Sequence, residues 1–208
     1  MKIIGIDEVG YGAWAGPLMT CAVHIDIPNF FSNDVNELVN RSNDYIKSIV
    51  DEDHFNLIKD SKKLSVPKRQ HMYEFLTKNF NFSIGSIQNK EIDDINIRNA
   101  NFKAMERAVT ALQMNYDIII IDGNAKPTFS EKIITIVDGD DFSKLISIAS
   151  IIAKVTRDTE MQQLHNEFPN YGWDKNVGYG TKLHSDGLKT FGVTKYHRIS
   201  YKPVKALL

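Results

Sequence analysis

The chain has 208 residues, a formal net charge of −1 at pH 7 and a single cysteine, Cys21. This length suits one sizeable hydrophobic core, so we expect a single domain over residues 1–208, acting as a monomer. The near-zero charge gives no global field that would favour nucleic acid or a membrane, and one cysteine excludes an intrachain disulfide and a thiolate metal cluster. No apolar run is typical of a signal peptide or a membrane span, which predicts a cytoplasmic protein, or a nuclear one in a eukaryotic setting.

The first strand predicted along the chain covers residues 2–6, which are apolar and partly β-branched. It ends in two adjacent carboxylates, Asp7 and Glu8, and the glycines Gly10 and Gly12 follow at once. A buried strand that delivers carboxylates to its end and then turns on glycine can hold a divalent cation beside a phosphate. An acidic strand-to-loop junction exposed to solvent is the alternative for this stretch.

The spacing of apolar residues predicts four more strands and several helices after the first strand. An apolar segment at 18–25 predicts a hairpin with the first strand, the polar region 28–60 has room for one short helix at about 35–50, and Ser65 is a good N-cap for a helix. The remaining predicted elements are helices at about 67–78, 90–114, 142–168 and 182–191 and strands at about 81–87, 117–122 and 132–137. The result is an α/β protein with a mixed sheet.

Acidic residues recur where the predicted strands end. Asp122 follows the strand of four isoleucines, and Asp138 and Asp140 follow the last strand. If the first and fourth strands are parallel neighbours, their acidic ends lie side by side, and ligands of α/β sheets bind beyond the carboxyl ends of strands. Clustered carboxylates repel one another unless cations separate them. The pattern therefore favours hard divalent metals over solvated junctions.

The C-terminal segment, residues 174–208, is basic and rich in aromatic side chains. It contains seven Lys and Arg residues against two Asp residues, a net charge of +5. Such a segment suits a polyanionic partner such as nucleic acid. A solvated face with ordinary core aromatics is an equally good interpretation of this segment alone.

Seven short motifs, in this order along the chain, resemble ribonuclease HII. Several of them are unusual strings, and together they extend over nearly the whole sequence. They are Asp7-Glu8-Val9-Gly10-x-Gly12, Ala15-Gly16-Pro17, Asp60-Ser61-Lys62-Lys63-Leu64, Ile121-Asp122-Gly123-Asn124, Gly139-Asp140, Ser150-Ile151-x-Ala153-Lys154-Val155-x-Arg157-Asp158 and Gly178-Tyr179-Gly180-Thr181-x-x-His184.

The resemblance implies a fold, an activity and a cofactor. The implied fold is ribonuclease H-like, with a five-stranded mixed sheet flanked by helices and a small helical C-terminal part at about residues 170–208. The implied activity is endonucleolytic cleavage of the RNA strand of RNA–DNA hybrids, and cleavage on the 5′ side of ribonucleotides embedded in duplex DNA. The implied cofactor is Mn²⁺ or Mg²⁺ at a two-metal site, and both kinds of duplex would be partners of the protein.

Carried over residue by residue, Asp7, Glu8, Asp122 and Asp140 resemble the family's four metal-binding carboxylates. Asp138 departs from the pattern, because the family has lysine two residues before the last of these acids. This replaces a positive charge by a negative one beside the metals, which either alters metal or phosphate binding or leaves Asp138 pointing to solvent.

The resemblance also implies substrate contacts. The family's glycine loop reads Gly-Arg-Gly and contacts the ribonucleotide through its backbone, whereas this chain has Gly10, Tyr11 and Gly12. Tyr11 cannot supply the arginine's charge, although it can stack or donate one hydrogen bond. Tyr179 matches the tyrosine that stacks on the sugar next to the ribonucleotide, a buried core tyrosine being the alternative. Phosphate contacts are expected from Lys62, Lys63, Lys154 and Arg157, with a structural salt bridge equally consistent for Arg157.

Two other functions remain open on the sequence alone. A nuclease of the same fold with altered substrate choice, DNA-directed or resolvase-like, is suggested by Tyr11. A non-catalytic nucleic-acid-binding protein is the second, and the intact set of four carboxylates opposes it. A nucleotide-binding protein fits worst, because the chain has no phosphate-loop lysine motif.

Overall fold

A five-stranded mixed sheet forms the centre of the fold in the computed structural model, which describes residues 1–208. Its strands are β1 (Lys2–Val9), β2 (Leu18–Asp26), β3 (Asn81–Ile87), β4 (Ile118–Asp122) and β5 (Ile133–Ile136). They lie in the order β3-β2-β1-β4-β5, with β1 antiparallel to β2 and parallel to β4. The predicted five-stranded mixed sheet, the hairpin and the parallel pairing of the first and fourth strands are all confirmed.

Ten α-helices accompany the sheet. They are α1 (Val35–Ile49), α2 (Glu52–Leu57), α3 (Val66–Asn79), α4 (Asn89–Ile95), α5 (Ile97–Ala111), α6 (Gly139–Phe142), α7 (Lys144–Glu167), α8 (Trp173–Asn176), α9 (Lys182–Phe191) and α10 (Lys202–Lys205). Short 3₁₀ turns lie at Ser61–Lys63 and Pro169–Tyr171. None of the helices has both the length and the hydrophobicity that crossing a bilayer requires.

Two helices pack closely on opposite faces of the sheet and so determine where the site lies. A Cβ atom on Gly5 of β1 would come within 2.6 Å of the Leu145 side chain of α7, and one on Gly85 of β3 within 1.9 Å of the Ala104 carbonyl oxygen of α5. Only glycine permits these approaches. Helix α7, with α1 and α3, buries the larger apolar core, and α5 covers the other face.

The helices differ from the sequence prediction in four places. The helix predicted at 90–114 is two helices, because Asn96 has a φ of 65° and its side chain caps α5 by accepting from the N–H of Asn99. The helix predicted at 142–168 begins instead at Lys144, after Ser143 caps it. Region 28–60 contains two helices rather than one. Ser65 occupies the N-cap of α3, but its side chain makes no capping hydrogen bond.

The C-terminal part has a small core of its own, and that core is aromatic. Trp173, Tyr171, Leu188 and Val204 pack together there with Met161 of α7. The backbone N–H of Trp14 donates to the Gly178 carbonyl at 2.7 Å, and the N–H of Gly16 donates to the Tyr196 carbonyl at 2.9 Å. The C-terminal part is therefore joined to the loop that follows β1.

Candidate active site

The first two carboxylates of the site lie inside β1, not after it. Because Asp7 and Glu8 are consecutive strand residues, their side chains point to opposite faces of the sheet. Asp7 is 6% exposed and lies on the α7 side, beside the hydroxyls of Ser61 and Ser150, whose oxygens are 3.0 Å apart. Glu8 lies on the α5 side, where the Asn101 side chain is its neighbour. The strand end therefore presents one carboxylate to each neighbouring layer.

The other two carboxylates come from β4 and α6. Ile6 pairs with Ile121 in the parallel register, so the next residues, Asp7 and Asp122, are neighbours at the same sheet edge. The Asp122 carboxylate accepts the backbone N–H of Gly139 at 2.7 Å. This bond ties the end of β4 to the first turn of α6, which carries Asp140. The structure thus brings the four predicted acidic residues together.

Their pKa values show how strongly these carboxylates act on one another. Burial, then the charge of Glu8, raises the pKa of Asp7 well above its usual range. Burial and the charge of Asp122 raise the pKa of Glu8 to about 7 and that of Asp140 to about 6. Each group would be easier to ionise beside a cation, which is the condition that favours metal binding.

Three lysines surround the acidic cluster. Burial alone would lower the pKa of Lys62, but nearby carboxylates, Asp60 and Asp7 foremost, raise it. Lys63 forms an ion pair with Asp141, and the Lys154 ammonium lies 2.8 Å from a carboxylate oxygen of Asp158. Lys62 is therefore the ammonium that interacts with the cluster itself, whereas Lys63 and Lys154 are held by acids at its border.

A cleft of about 240 Å³ lies at the Asp7 and Glu8 side of the cluster, whereas Asp122 and Asp140 do not line it. No three acidic, histidine or cysteine side chains in the protein converge closely enough to form a ready-made metal cage. The donors that surround the cleft are carboxylate and hydroxyl oxygens, the ligands that Mg²⁺ and Mn²⁺ prefer. The cleft is lined by Asp7, Glu8, Ser61, Lys62, Lys154 and Tyr179, among others.

The glycine loop, residues 10–17, lies beside Tyr179, which lines the cleft. Gly10 has a φ of 89°, and a Cβ atom there would lie 2.3 Å from Nε of Arg157, so no other residue fits. A Cβ atom on Gly12 would lie 3.8 Å from the half-buried Tyr179 ring, which places that ring against the loop. Tyr11 is 42% exposed. Tyr179, which the resemblance implies to stack on the substrate, is therefore half-buried and lies beside the glycine loop.

Arg157 does not occupy the open position that a phosphate contact requires. It is fully buried and donates to the carbonyls of Pro17 at 2.8 Å, Val177 at 2.8 Å and Ala15 at 3.2 Å. The alternative salt bridge with Asp158 is not formed either, because Asp158 pairs with Lys154. Arg157 instead supports the glycine loop. Its three backbone acceptors offset the cost of burying the guanidinium charge.

A second buried arginine supports the loop from the C-terminal side. Arg198 donates to the carbonyls of Gly16 and Tyr11, each at 3.1 Å, and the Tyr201 hydroxyl also donates to Tyr11. The sequence alone assigned no role to Arg198 or Tyr201. They follow no strand end and carry no periodic signal, and only their position in a basic, aromatic segment singles them out.

Asp138, the departure from the family pattern, is exposed at the N-cap of α6. It has a left-handed backbone conformation, with a φ of 54°, and makes no capping hydrogen bond. Of the two alternatives considered for this position, the exposed side chain agrees with the one in which Asp138 points to solvent.

The sheet order, the helices on both faces and the acidic sheet edge define the class of the protein as a ribonuclease H-like enzyme. The comparisons with known proteins agree. A family model described as Ribonuclease HII matches residues 50–204. A ribonuclease HII from Ehrlichia chaffeensis is 42% identical over 205 residues, which cover 99% of this chain and 88% of the relative.

Two solved structures show the same fold. Ribonuclease H2 from Pyrococcus horikoshii OT3 aligns with a TM-score of 0.75 and 22% identity, covering 100% of this chain and 97% of that one. Bst-RNase HIII, in a complex with Mn²⁺, aligns with a TM-score of 0.71 and 17% identity, covering 99% and 68%. The chain belongs to the ribonuclease HII family and is a ribonuclease H, as the sequence resemblance predicted.

Proposed function

We propose that this ribonuclease H is a divalent-cation-dependent endonuclease that hydrolyses the RNA strand of RNA–DNA hybrids and cuts on the 5′ side of ribonucleotides embedded in duplex DNA. The observation that carries this proposal is that Asp7, Glu8, Asp122 and Asp140, from three separate segments, are neighbours at one sheet edge. Phosphodiester hydrolysis at that edge leaves a 5′-phosphate on one product and a 3′-hydroxyl on the other.

The residues present fit a pair of hard cations. Asp7, Glu8, Asp122 and Asp140 supply oxygen donors, and three of them have raised pKa values that a cation would lower again. These residues would hold two Mn²⁺ or Mg²⁺ ions, which would supply activation of water and stabilisation of the charge that develops on the phosphate oxygens. Bst-RNase HIII, named above as a Mn²⁺ complex, has the same fold.

Positively charged side chains of the chain complete the proposed chemistry. Lys154 borders the cleft and would exchange its partner Asp158 for a phosphate oxygen, stabilising charge as it develops. Lys62 interacts with the acidic cluster and would neutralise the other non-bridging oxygen of the scissile phosphate. Lys63 would hold a neighbouring phosphate after leaving Asp141.

A larger groove continues from the cleft and fits a nucleic-acid strand. It has a volume of about 610 Å³, lies between α3 and α7, and shares Lys62 and Lys154 with the cleft. Arg69 and Lys175 also line it. Together with the net charge of +5 over residues 174–208, this groove gives a duplex a basic path past the acidic site.

The glycine loop and Tyr179 would read the ribose. The exposed backbone of Gly12 can approach a 2′-hydroxyl because this residue has no side chain, while buried Gly10 lets the loop pack on Arg157. The Tyr179 ring beside Gly12 can stack on the adjoining sugar. The exposed Tyr11 side chain favours a second candidate, a nuclease of the same fold with relaxed selectivity for ribonucleotides.

A comparison of three duplexes tests the proposal. One carries a single ribonucleotide in DNA, one is all DNA and one is a long RNA–DNA hybrid, each assayed with Mn²⁺ or with Mg²⁺. We expect cleavage of the first and third only. Equal cleavage of the all-DNA duplex would support the relaxed nuclease instead, and wild-type activity of Asp122→Asn would contradict the metal assignment.

A further inference from the structure

Thr20 is a buried polar residue next to the acidic cluster, and nothing proposed so far uses it. It lies directly opposite Glu8 in the antiparallel register of β1 and β2, so the two side chains share the face that α5 covers. Thr20 is fully buried, and its hydroxyl oxygen has no hydrogen-bond partner. A buried hydroxyl without a partner is destabilising, which indicates that a ligand or bound water is its partner in the working enzyme.

Asn101 of α5 is a second buried polar residue at the same place. One helical turn further on, Ala104 touches Gly85, which pairs with Thr20 across β2 and β3. This brings Asn101 over the Glu8–Thr20 pair. Its side chain is 8% exposed and lies beside the Glu8 carboxylate, and its Oδ1 has no hydrogen-bond partner.

The chemistry of these two free oxygens points to a particular kind of donor. An amide oxygen only accepts hydrogen bonds, so Asn101 Oδ1 cannot bond to an ionised carboxylate. A water molecule that is bound to a cation is a strong donor, and Mg²⁺ in particular keeps several waters when one or two carboxylates bind it. Second-layer acceptors of this kind orient ligands and bound water in metal sites.

We propose that Thr20 and Asn101 are positioning residues that hold Glu8 and accept hydrogen bonds from water on the cation it binds. This inference rests on the proposed function, because it needs Glu8 to be a metal-binding carboxylate. The Asn101 amide would donate to the Glu8 carboxylate, and the two free oxygens would accept hydrogen bonds from water on the ion that Glu8 binds.

Two near-isosteric substitutions test the inference, Thr20→Val and Asn101→Leu. Mn²⁺ affinity is measured by calorimetry on the substrate-free enzyme, with no nucleic acid present. We expect each variant to bind Mn²⁺ about 10-fold more weakly, the lower end for loss of a second-layer group. In EDTA, Thr20→Val should unfold at the same or a higher temperature than the wild type, because an apolar group replaces an unpaired buried hydroxyl.

A positioning role predicts that Mn²⁺ affinity falls while the unfolding temperature in EDTA stays the same or rises. A merely structural role predicts that the unfolding temperature falls. Thr20→Ser, which keeps the hydroxyl, should restore wild-type Mn²⁺ affinity. The matched control is Ser42→Ala on α1, whose buried hydroxyl donates to the Leu38 carbonyl at 2.7 Å, remote from the site. That variant should lose thermal stability and keep its Mn²⁺ affinity.

Asp122→Asn distinguishes failure of the inference from failure of the proposed function. If Asp122→Asn loses Mn²⁺ binding while Thr20→Val and Asn101→Leu both bind as the wild type does, only the positioning inference is wrong. If Asp122→Asn itself binds Mn²⁺ normally, the metal site and the proposed function are both wrong. If Asn101→Leu does not fold, Thr20→Val alone decides the inference.

Discussion

The hydroxyl of Tyr201 donates a hydrogen bond to the backbone carbonyl of Tyr11 at 2.6 Å. Arg198 donates to the same carbonyl and also to the Tyr201 oxygen, at 3.0 Å. The peptide between Tyr11 and Gly12 is therefore fixed by the C-terminal segment, 190 residues away along the chain. Because this peptide belongs to the loop proposed to read the ribose, its support is a determinant of substrate recognition.

We expect Tyr201→Phe to lower kcat/KM on a duplex with one ribonucleotide by about 5-fold, the effect of losing one hydrogen bond of roughly 1 kcal/mol. The long hybrid should be affected less, because many ribonucleotides can occupy the loop. Tyr171→Phe is the matched control, since its hydroxyl donates to the Gly192 carbonyl at 2.9 Å, away from the loop. An equal loss in both variants would show that the effect is one of stability.

Arg157→Met should destabilise the protein by about 3 kcal/mol, because three backbone carbonyls lose a charged donor in the interior. Urea unfolding measures the change. The dependence of hybrid binding on salt concentration should stay as in the wild type. A phosphate contact by Arg157 would instead reduce that salt dependence and leave the free energy of unfolding nearly unchanged.

The sequence predicted what depends on local pattern and on strand ends. The four isoleucines of β4 and the apolar β1 could only be buried strands, and parallel pairing made Asp7 and Asp122 neighbours. The break at Asn96 could not be predicted, because helical periodicity continues through it and only the left-handed backbone interrupts it. The buried Arg157 was equally beyond reach, since its acceptors lie about 140 and 20 residues away.

Removal of a phosphate-binding charge should be visible in salt dependence. We expect Lys154→Gln to reduce the slope of log K against log salt for hybrid binding by about 1, and to slow cleavage at saturating substrate. The Lys154 side chain is largely enclosed at the cleft, whereas Lys47 is an exposed lysine on α1. Lys47→Gln is therefore the control, and a similar slope for both variants would contradict the assignment of Lys154.

The raised pKa of Glu8, about 7, makes metal-free stability depend on pH. In the unfolded chain this group ionises near pH 4.3, so between about pH 4 and 7 the folded state holds more protons. The free energy of unfolding contributed by Glu8 is thus complete at low pH and is lost as pH rises through 7. Buried His184 and His197, whose pKa values are lowered mainly by burial, act in the opposite direction at low pH.

A comparison with Glu8→Gln isolates this carboxylate, because the amide stays neutral at every pH. In EDTA, the variant should unfold at a higher temperature than the wild type, by a difference that is small near pH 4 and grows as the pH rises to 8. Saturating Mn²⁺ should reverse the order at pH 8, since only the carboxylate binds the ion. Parallel melting curves over the whole pH range would show that Glu8 titrates normally.

Tyr11→Arg restores the charge that the family's glycine loop carries, and it separates the two candidate functions. The side chain at position 11 is exposed, so the exchange should leave the fold and the Tyr201 bond to the Tyr11 carbonyl intact. If arginine binds a phosphate beside the ribonucleotide, affinity for the single-ribonucleotide duplex should rise by about 10-fold, with a steeper salt dependence. We expect no cleavage of the all-DNA duplex. A variant that acts on all three duplexes as the wild type does would show that the side chain at position 11 has no part in substrate choice.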